Sequence, residues 1–517
     1  MRKEIDFLDF KTVIKYLLIF VVILVAGNYL KDAAAIVIII SILLYLVTSG
    51  LFKSVELWLM WFFTNGFYLG QGYLTYELLK KHAAFRPSFL LFIIFIFAYA
   101  KIPAELKKAK FIFVWILFLL ITLLSVIYHR QSLSVLITIS SFFLLYLILS
   151  ARVFTIYQYK KILNLFIAAA ILQTSVSFLQ VSKTIPPSTI MMEDGFGGKY
   201  EFVVGLDDAS CGTFGAVASP ITSWYAALIA LFSFLVWAVV RKKKYLVVVC
   251  LSLMQFTTVD SKTIMGVMVL MMIYLLFYLN KQRSELRLNI RKLTFLIIVV
   301  SAMGYGLFEG LDYYYHYISI AGNRGGSSSS GLQAVYEKQI MPSQTTVLKY
   351  LPQWGKIQGF RYVFEDYLDS DITGIIWGYG IQGYSYNEKE YNILKKDFPL
   401  MRLSNFTNSR SGLISQFAQS GLVGFIFIIV SIFYWYKYNV RRNRNNKLDV
   451  IGNGLLKIFL LFSLLAAFLY SLTITWITII SFSGLIAILK LLSEKQEEVT
   501  IDSNDDKIII GDNYRFS

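Results

Sequence analysis

Four polar segments stand out in an otherwise apolar chain because their residue types could handle an anion. The segment WGKIQGFRYVFEDYL, Trp354 to Leu368, has the spacing of an amphipathic helix. Trp354, Ile357, Phe364 and Leu368 share one stripe, Arg361 lies in the middle of it, and Asp366 is on the opposite side. A guanidinium on an apolar face is costly unless it meets an anion or its stem snorkels to water. Anion binding at membrane level and a snorkelling or ion-paired Arg are both open for Arg361. The next segment, ITGIIWGYGIQGYSYNE, places Gly374, Gly378, Gly380 and Gly383 close together around Tyr379. Such glycines permit tight turns and close backbone approach. They are too irregular for a dinucleotide fingerprint and follow no βαβ pattern, so a nucleotide site is rejected. In NSRSGLISQFAQSGLVGFIFII, Arg410 stands at the mouth of an apolar run, with ten residues between it and Gly421. It is either an interfacial anchor or a second functional cation. Last, TTVDSKT, Thr257 to Thr263, puts Asp260 and Lys262 into a very short connection between two apolar runs. A water-exposed turn pair is the alternative reading there.

The elements that must hold these groups are membrane helices. Of the 517 residues 57% are hydrophobic and only 16% are charged, with 42 Phe and 34 Tyr, where a soluble domain carries about 25% charge. That composition excludes a soluble globular enzyme, a disordered scaffold and a collagen-like fibre. Two Cys and three His argue against a disulfide framework and a Cys/His metal site. Asp369-Ser-Asp371 imitates a metal-binding DxD but falls on the exterior side, where nucleotide sugars are absent. Asp207-Asp208 has no further ligands nearby, and HExxH and a usable GxSxG are missing. The net charge of +17 is read as basic loops at a membrane rather than as a nucleic-acid surface.

Apolar runs between charged breaks give about fourteen spans by the ~20-residue criterion: 13–30, 33–52, 55–76, 87–100, 111–128, 133–150, 162–182, 220–240, 245–259, 263–280, 292–308, 413–436, 453–472 and 474–492. The fold class is therefore an all-α polytopic membrane protein with one large extracytoplasmic loop subdomain. Residues 1–12 form a short cytoplasmic lead rather than a cleavable signal, since they carry acids and the apolar run after them has no small-residue cleavage site. Helices one to eleven occupy 13–308, with an outer loop at 183–219. The large loop is 309–412, helices twelve to fourteen occupy 413–492, and an acidic, disordered cytoplasmic tail is expected over 493–517. Five basic loops, among them those with Lys107 and Lys108, with Lys160 and Lys161, and with Arg241 to Lys244, fall on one side, which sets that side as cytoplasmic.

Taken together, these segments resemble the O-antigen polymerase and O-antigen ligase superfamily, polytopic glycosyltransferases that use lipid-linked oligosaccharides at the outer face of the bacterial plasma membrane. The likeness runs from about Lys199 to Ile428. It comprises GLDDASCGTFG in the first outer loop, the Thr-x-x-Ser-basic turn, Arg361 leading into GYGIQGY, and NSRSGLISQFAQSGLVG. Two departures matter. Lys262 stands where the family usually has Arg. Arg410 stands where a ligase is expected to carry His, and the Arg410–Gly421 spacing is similar to an Arg motif of polymerases. The resemblance implies that Arg361, Arg410 and Lys262 stabilise the diphosphate leaving group, with Asp260 or Glu365 as proton acceptor, because Arg cannot accept one. It implies substrate contacts at Lys199, Tyr379, Gly380 and Gly421, and it needs no metal or other cofactor. The implied partners are a polyprenyl-diphosphate-linked oligosaccharide, membrane lipid and a chain-length regulator, not nucleic acid. Polymerisation of repeat units is the first reading. A ligase transferring a finished glycan and a lipid-linked oligosaccharide transporter are the alternatives.

Overall fold

A computed structural model of the protein describes residues 6–48, 50–65, 87–128, 143–181, 184, 189–193, 199–203, 212–214, 219–258, 262–282, 306, 347–348, 351–352, 376–378, 412–440, 446–469 and 472–502. These residues are overwhelmingly helical. In chain order the helices are α1 Phe10–Leu30, α2 Asp32–Thr48, α3 Leu51–Asn65, α4 Pro87–Tyr99, α5 Ala104–Lys107, α6 Lys110–Tyr128, α7 Ile156–Val181, α8 Ser219–Val240, α9 Lys244–Leu253 with a 3-10 turn Met254–Thr257, α10 Lys262–Gln282, α11 Gly412–Asn439, α12 Lys447–Leu469 and α13 Leu472–Asp502. Residues 143–149 are also helical. Among the described residues five helices are long and apolar enough to cross a membrane: Phe10–Leu30, Ile156–Gln180, Ile221–Val240, Ile264–Lys281 and Ser420–Asn439. Shorter apolar helices lie at Asp32–Thr48, Pro87–Tyr99, Lys110–Leu124 and Lys244–Phe256.

The bundle is built around α8 and α7. The helix α8 is apolar on every side, as a helix with no solvent face must be, and it packs against α7, α9, α10, α12 and α13. Trp224, Tyr225, Leu228 and Leu231 are fully buried along it. The outer helices show the opposite pattern. Ile14, Leu18 and Val22 on α1, and Val37, Leu44 and Val47 on α2, are exposed, a surface that suits lipid rather than water. At the other side α11 packs along α6. There Trp435 meets Phe143, Tyr146 and Phe459, with ring centroids 6.0, 5.7 and 4.9 Å away.

Helix starts follow local chemistry. Asp9 caps α1, accepting from Lys11 N at 3.2 Å and Thr12 Oγ1 at 2.6 Å. Thr155 and Gln158 form a reciprocal capping box at the start of α7, with bonds of 3.2 and 2.8 Å. The lead before α1 is clamped to α9: Asp6 accepts from Lys244 Nζ at 2.6 Å and Lys242 Nζ at 3.1 Å. Partial burial pushes the Asp6 carboxyl up, but the hydrogen bonds and charges of Lys244 and Lys242 outweigh it and hold it below the ordinary carboxylate range.

Several expectations change. The chain turns at Gly50, φ 88°, so the second span ends at Thr48 and the third begins at Leu51. The helix α7 begins at Ile156, six residues before the apolar run at 162, because the capping box sets its start. Residues 493–502 are helical where a disordered tail was expected. Glu, Lys and Gln are good helix formers, Ser493 Oγ donates to Asp449 at 2.6 Å, and Lys495 Nζ donates to the Phe154 carbonyl at 2.6 Å. The described residues are helical as expected apart from two short pairings. Two short antiparallel ribbons pair β1 Thr189–Glu193 with β2 Lys199–Val203, and β3 Val347–Leu348 with β4 Leu351–Pro352. The first is joined by the glycine-rich residues 194–198, a composition that favours a turn. Most of the spans at 292–308 and 133–150, most of the 309–412 loop, and the Trp354–Leu368 segment lie outside the described residues.

Candidate functional site

One face of α7 ties two of the polar segments together, the end of GLDDASCGTFG and the TTVDSKT turn. Gln173, Ser177 and Gln180 are spaced four and three residues apart, which places them on one side of the helix. Gln173 Oε1 accepts from Thr213 N at 2.8 Å, and its Nε2 donates to Thr213 Oγ1 at 2.6 Å and to the Phe63 carbonyl at 3.0 Å. One turn pair further on, Gln180 exchanges two bonds with the backbone of Gly212, at 2.9 and 3.0 Å. Two side-chain amides thus satisfy a stretch of loop backbone inside the bundle, where it would otherwise be orphaned. Phe214, 4% exposed, meets Tyr225 edge-on at 6.0 Å. Gly212 has φ 59°, and a Cβ there would overlap Gln173 Oε1 and stand 2.9 Å from Thr222 Cγ2. These residues, 212–214, belong to the CGTFG end of the GLDDASCGTFG segment.

The same face reaches the short turn. Ser177 Oγ accepts from Gln255 Nε2 at 2.9 Å, and Gln255 also donates to Thr258 Oγ1 at 3.2 Å. Thr258 Oγ1 closes back on the Gln255 carbonyl at 2.8 Å. Thr258 stands two residues before Asp260, and α10 begins at Lys262. The connection is as short as its sequence indicates.

A second contact joins the glycine segment to α11. Gly421 has φ 63° and ψ −175°, which breaks the helix into 412–420 and 422–439. The backbone of Ile376 to Gly378 enters the break. A Cβ at Gly421 would overlap Gly378 N and the Ile376 carbonyl. Gly378 itself has φ 77°. Both positions therefore require glycine, one for the close approach and both for the left-handed backbone. Ser420, beside the break, is buried.

Of the residues expected to act, Gly421 lies at this contact, and Tyr379 and Gly380 follow Gly378 directly but lie outside the described residues, as do Arg361, Arg410 and Asp260. The backbone of Lys262 is the first residue of α10, and that of Lys199 the first of β2, opposite Glu193. The amide face of α7 was not among the expected functional residues. Its signal is the polar repeat in QTSVSFLQ within an apolar span. Amides and hydroxyls of this kind donate and accept hydrogen bonds but carry no charge and move no proton. What this part of the site can do is hold loop backbone in place. No protein-family model matches the chain, and no curated protein matches it.

Proposed function

We propose that the protein polymerises polyprenyl-diphosphate-linked oligosaccharide repeat units into a surface polysaccharide at the outer face of the plasma membrane. In this reading the described helices belong to a bundle of about fourteen spans, with 309–412 as the outer loop. The observation that carries the reading is the contact of Gly378 with Gly421. It joins two of the segments on which the family resemblance rests, one leading from Arg361 and the other from Arg410. The bond between the sugar C1 and the diphosphate oxygen breaks, and a bond from C1 to an acceptor hydroxyl forms. The hydroxyl proton passes to a carboxylate, Asp260 or Glu365. Negative charge grows on the departing diphosphate, where Arg361, Arg410 and Lys262 stabilise it. The spans are poor in charge, which favours this reading over a transporter with an ionisable path through the membrane. Among the described residues Glu56, 8% exposed, is one buried charge within the spans, accepting from Tyr16 at 2.5 Å and Lys53 at 3.1 Å.

The test uses purified protein and a lipid-linked repeat unit with chelator present. A polymerase yields a ladder of products one repeat apart, needing no second lipid or protein acceptor, and replacing His316, the one His of the 309–412 segment and a ligase's alternative candidate, by Ala (His316→Ala) leaves the ladder intact. If product appears only after a separate acceptor is added, and His316→Ala abolishes it, the chain is a ligase.

A further inference from the structure

The helices α1 and α7 begin side by side, and a cavity of about 280 Å³ lies between their starts. That is near the ~300 Å³ lower end of small-ligand pockets. Its wall includes Asp6, Asp9, Tyr157, Lys160, Lys161 and Asn164. Asn164, 2% exposed, fixes the wall: it donates to the Phe7 carbonyl at 2.8 Å and to the Lys160 carbonyl at 2.7 Å, and accepts from Asp9 N at 2.9 Å. The cavity wall is therefore fixed by a buried, fully bonded Asn164 rather than by loose side chains.

Its charges are not balanced. Asp6 is already held by Lys242 and Lys244. Asp9 is engaged by the Lys11 amide and the Thr12 hydroxyl. Lys161 Nζ sits 4.5 Å from the centroid of the Tyr157 ring. Neither Lys160 nor Lys161 has an ion-pair partner among the described residues. Two half-buried lysines thus line one cavity, beside a carboxylate that retains lone pairs for a hydroxyl. The position adds a further constraint. Both helices are candidate spans, so their common start lies where a membrane surface would be. Exposed apolar side chains border the site: Phe10 and Ile14 on α1, Ile156 and Tyr157 on α7. A water-borne anion has no use for that apolar border, whereas acyl chains do.

We propose that this cavity binds the headgroup of an anionic phospholipid, phosphatidylglycerol in class, with the phosphate on Lys160 and Lys161, a headgroup hydroxyl on Asp9, and the acyl chains along the exposed face of α1. The site is independent of the glycosyltransferase reading.

The experiment is lipid retention by the delipidated full chain in detergent, read by native mass spectrometry after mixing with equal phosphatidylglycerol and phosphatidylcholine. Wild type is expected to hold phosphatidylglycerol in preference, and Lys160→Gln with Lys161→Gln to weaken it by about fivefold per lysine. Lys107→Gln with Lys108→Gln, at another basic turn, is expected to leave retention unchanged. Equal retention of phosphatidylcholine, displacement by millimolar inorganic phosphate, or equal weakening in both double variants overturns the proposal. A photoactivatable phosphatidylglycerol on wild-type protein decides the matter if the lysine variant does not fold. Cross-links within 6–12 or 157–164 support the site, and cross-links only elsewhere overturn it.

Discussion

At the scale of single residues, the proposed activity rests on two kinds of position, and they fail differently. Arg361 and Arg410 are assigned to charge that exists chiefly in the transition state, so Arg361→Ala and Arg410→Ala are each expected to cost on the order of 10²–10³ in rate. Replacement by Lys is expected to rescue poorly, because a two-pronged guanidinium becomes a point charge. Gly421 carries no chemistry of its own. Gly421→Ala puts a methyl group where Gly378 N and the Ile376 carbonyl stand, which displaces the backbone leading to Tyr379 and Gly380. A misplacement of this kind is expected to lower polymer yield by roughly 10²-fold, with membrane levels of the protein unchanged. Polymer assays on membranes holding equal amounts of each variant check all three. Near-normal product from both arginine variants would remove them from the mechanism, and normal product from Gly421→Ala would remove the contact from it.

At the scale of elements, α7 organises the loop and turn at its C-terminal end. Its Gln173–Ser177–Gln180 face holds one loop by backbone and one turn by side chains. Buried polar groups left without a partner cost about 1–3 kcal/mol, so Gln173→Leu, which orphans the Thr213 amide, is expected to lower the thermal midpoint of the solubilised protein. Gly212→Ala is expected to do the same by on the order of 2 kcal/mol, from left-handed backbone strain and a displaced Gln173. Fluorescence-detected unfolding in detergent reads both. Midpoints equal to wild type would mean that the loop is not held by this face. The other end of α7 is anchored separately, by its capping box and Asn164, so the two ends of one helix organise two different sites.

At the scale of the whole molecule, the proposed activity requires the acting residues to lie on the side away from the basic loops. In protein whose Cys211 and Cys250 are replaced by Ser, cysteines placed at Ser328 and Met192 are expected to react with an impermeant thiol reagent in intact cells or spheroplasts. A cysteine at Asn443 is expected to stay unlabelled until the membrane is opened. Labelling at Asn443 in sealed cells would invert the orientation and remove the outer site with it. The lipid cavity and the amide face lie at opposite ends of α7, so a correct orientation also sets the leaflet from which the proposed phospholipid is drawn.

Much of the helical framework was legible in the chain itself, because helix formation in an apolar run depends on length and composition, which are local. The runs at 13–30, 87–100, 111–128 and 220–240 became helices within three residues of those bounds. Gly421 was legible as a special position from its spacing to Arg410, and the GYGIQGY glycines from their density. What they approach was not. That Gly421 meets Gly378, that Gln173 completes Thr213 forty positions away, and that Lys495 extends a helix by bonding the Phe154 carbonyl are facts about partners distant in sequence. No periodicity records such partners. They exist only because packing α7 and α8 into the middle of the bundle leaves loop backbone inside an apolar interior, where every amide and carbonyl must find a bond within the protein.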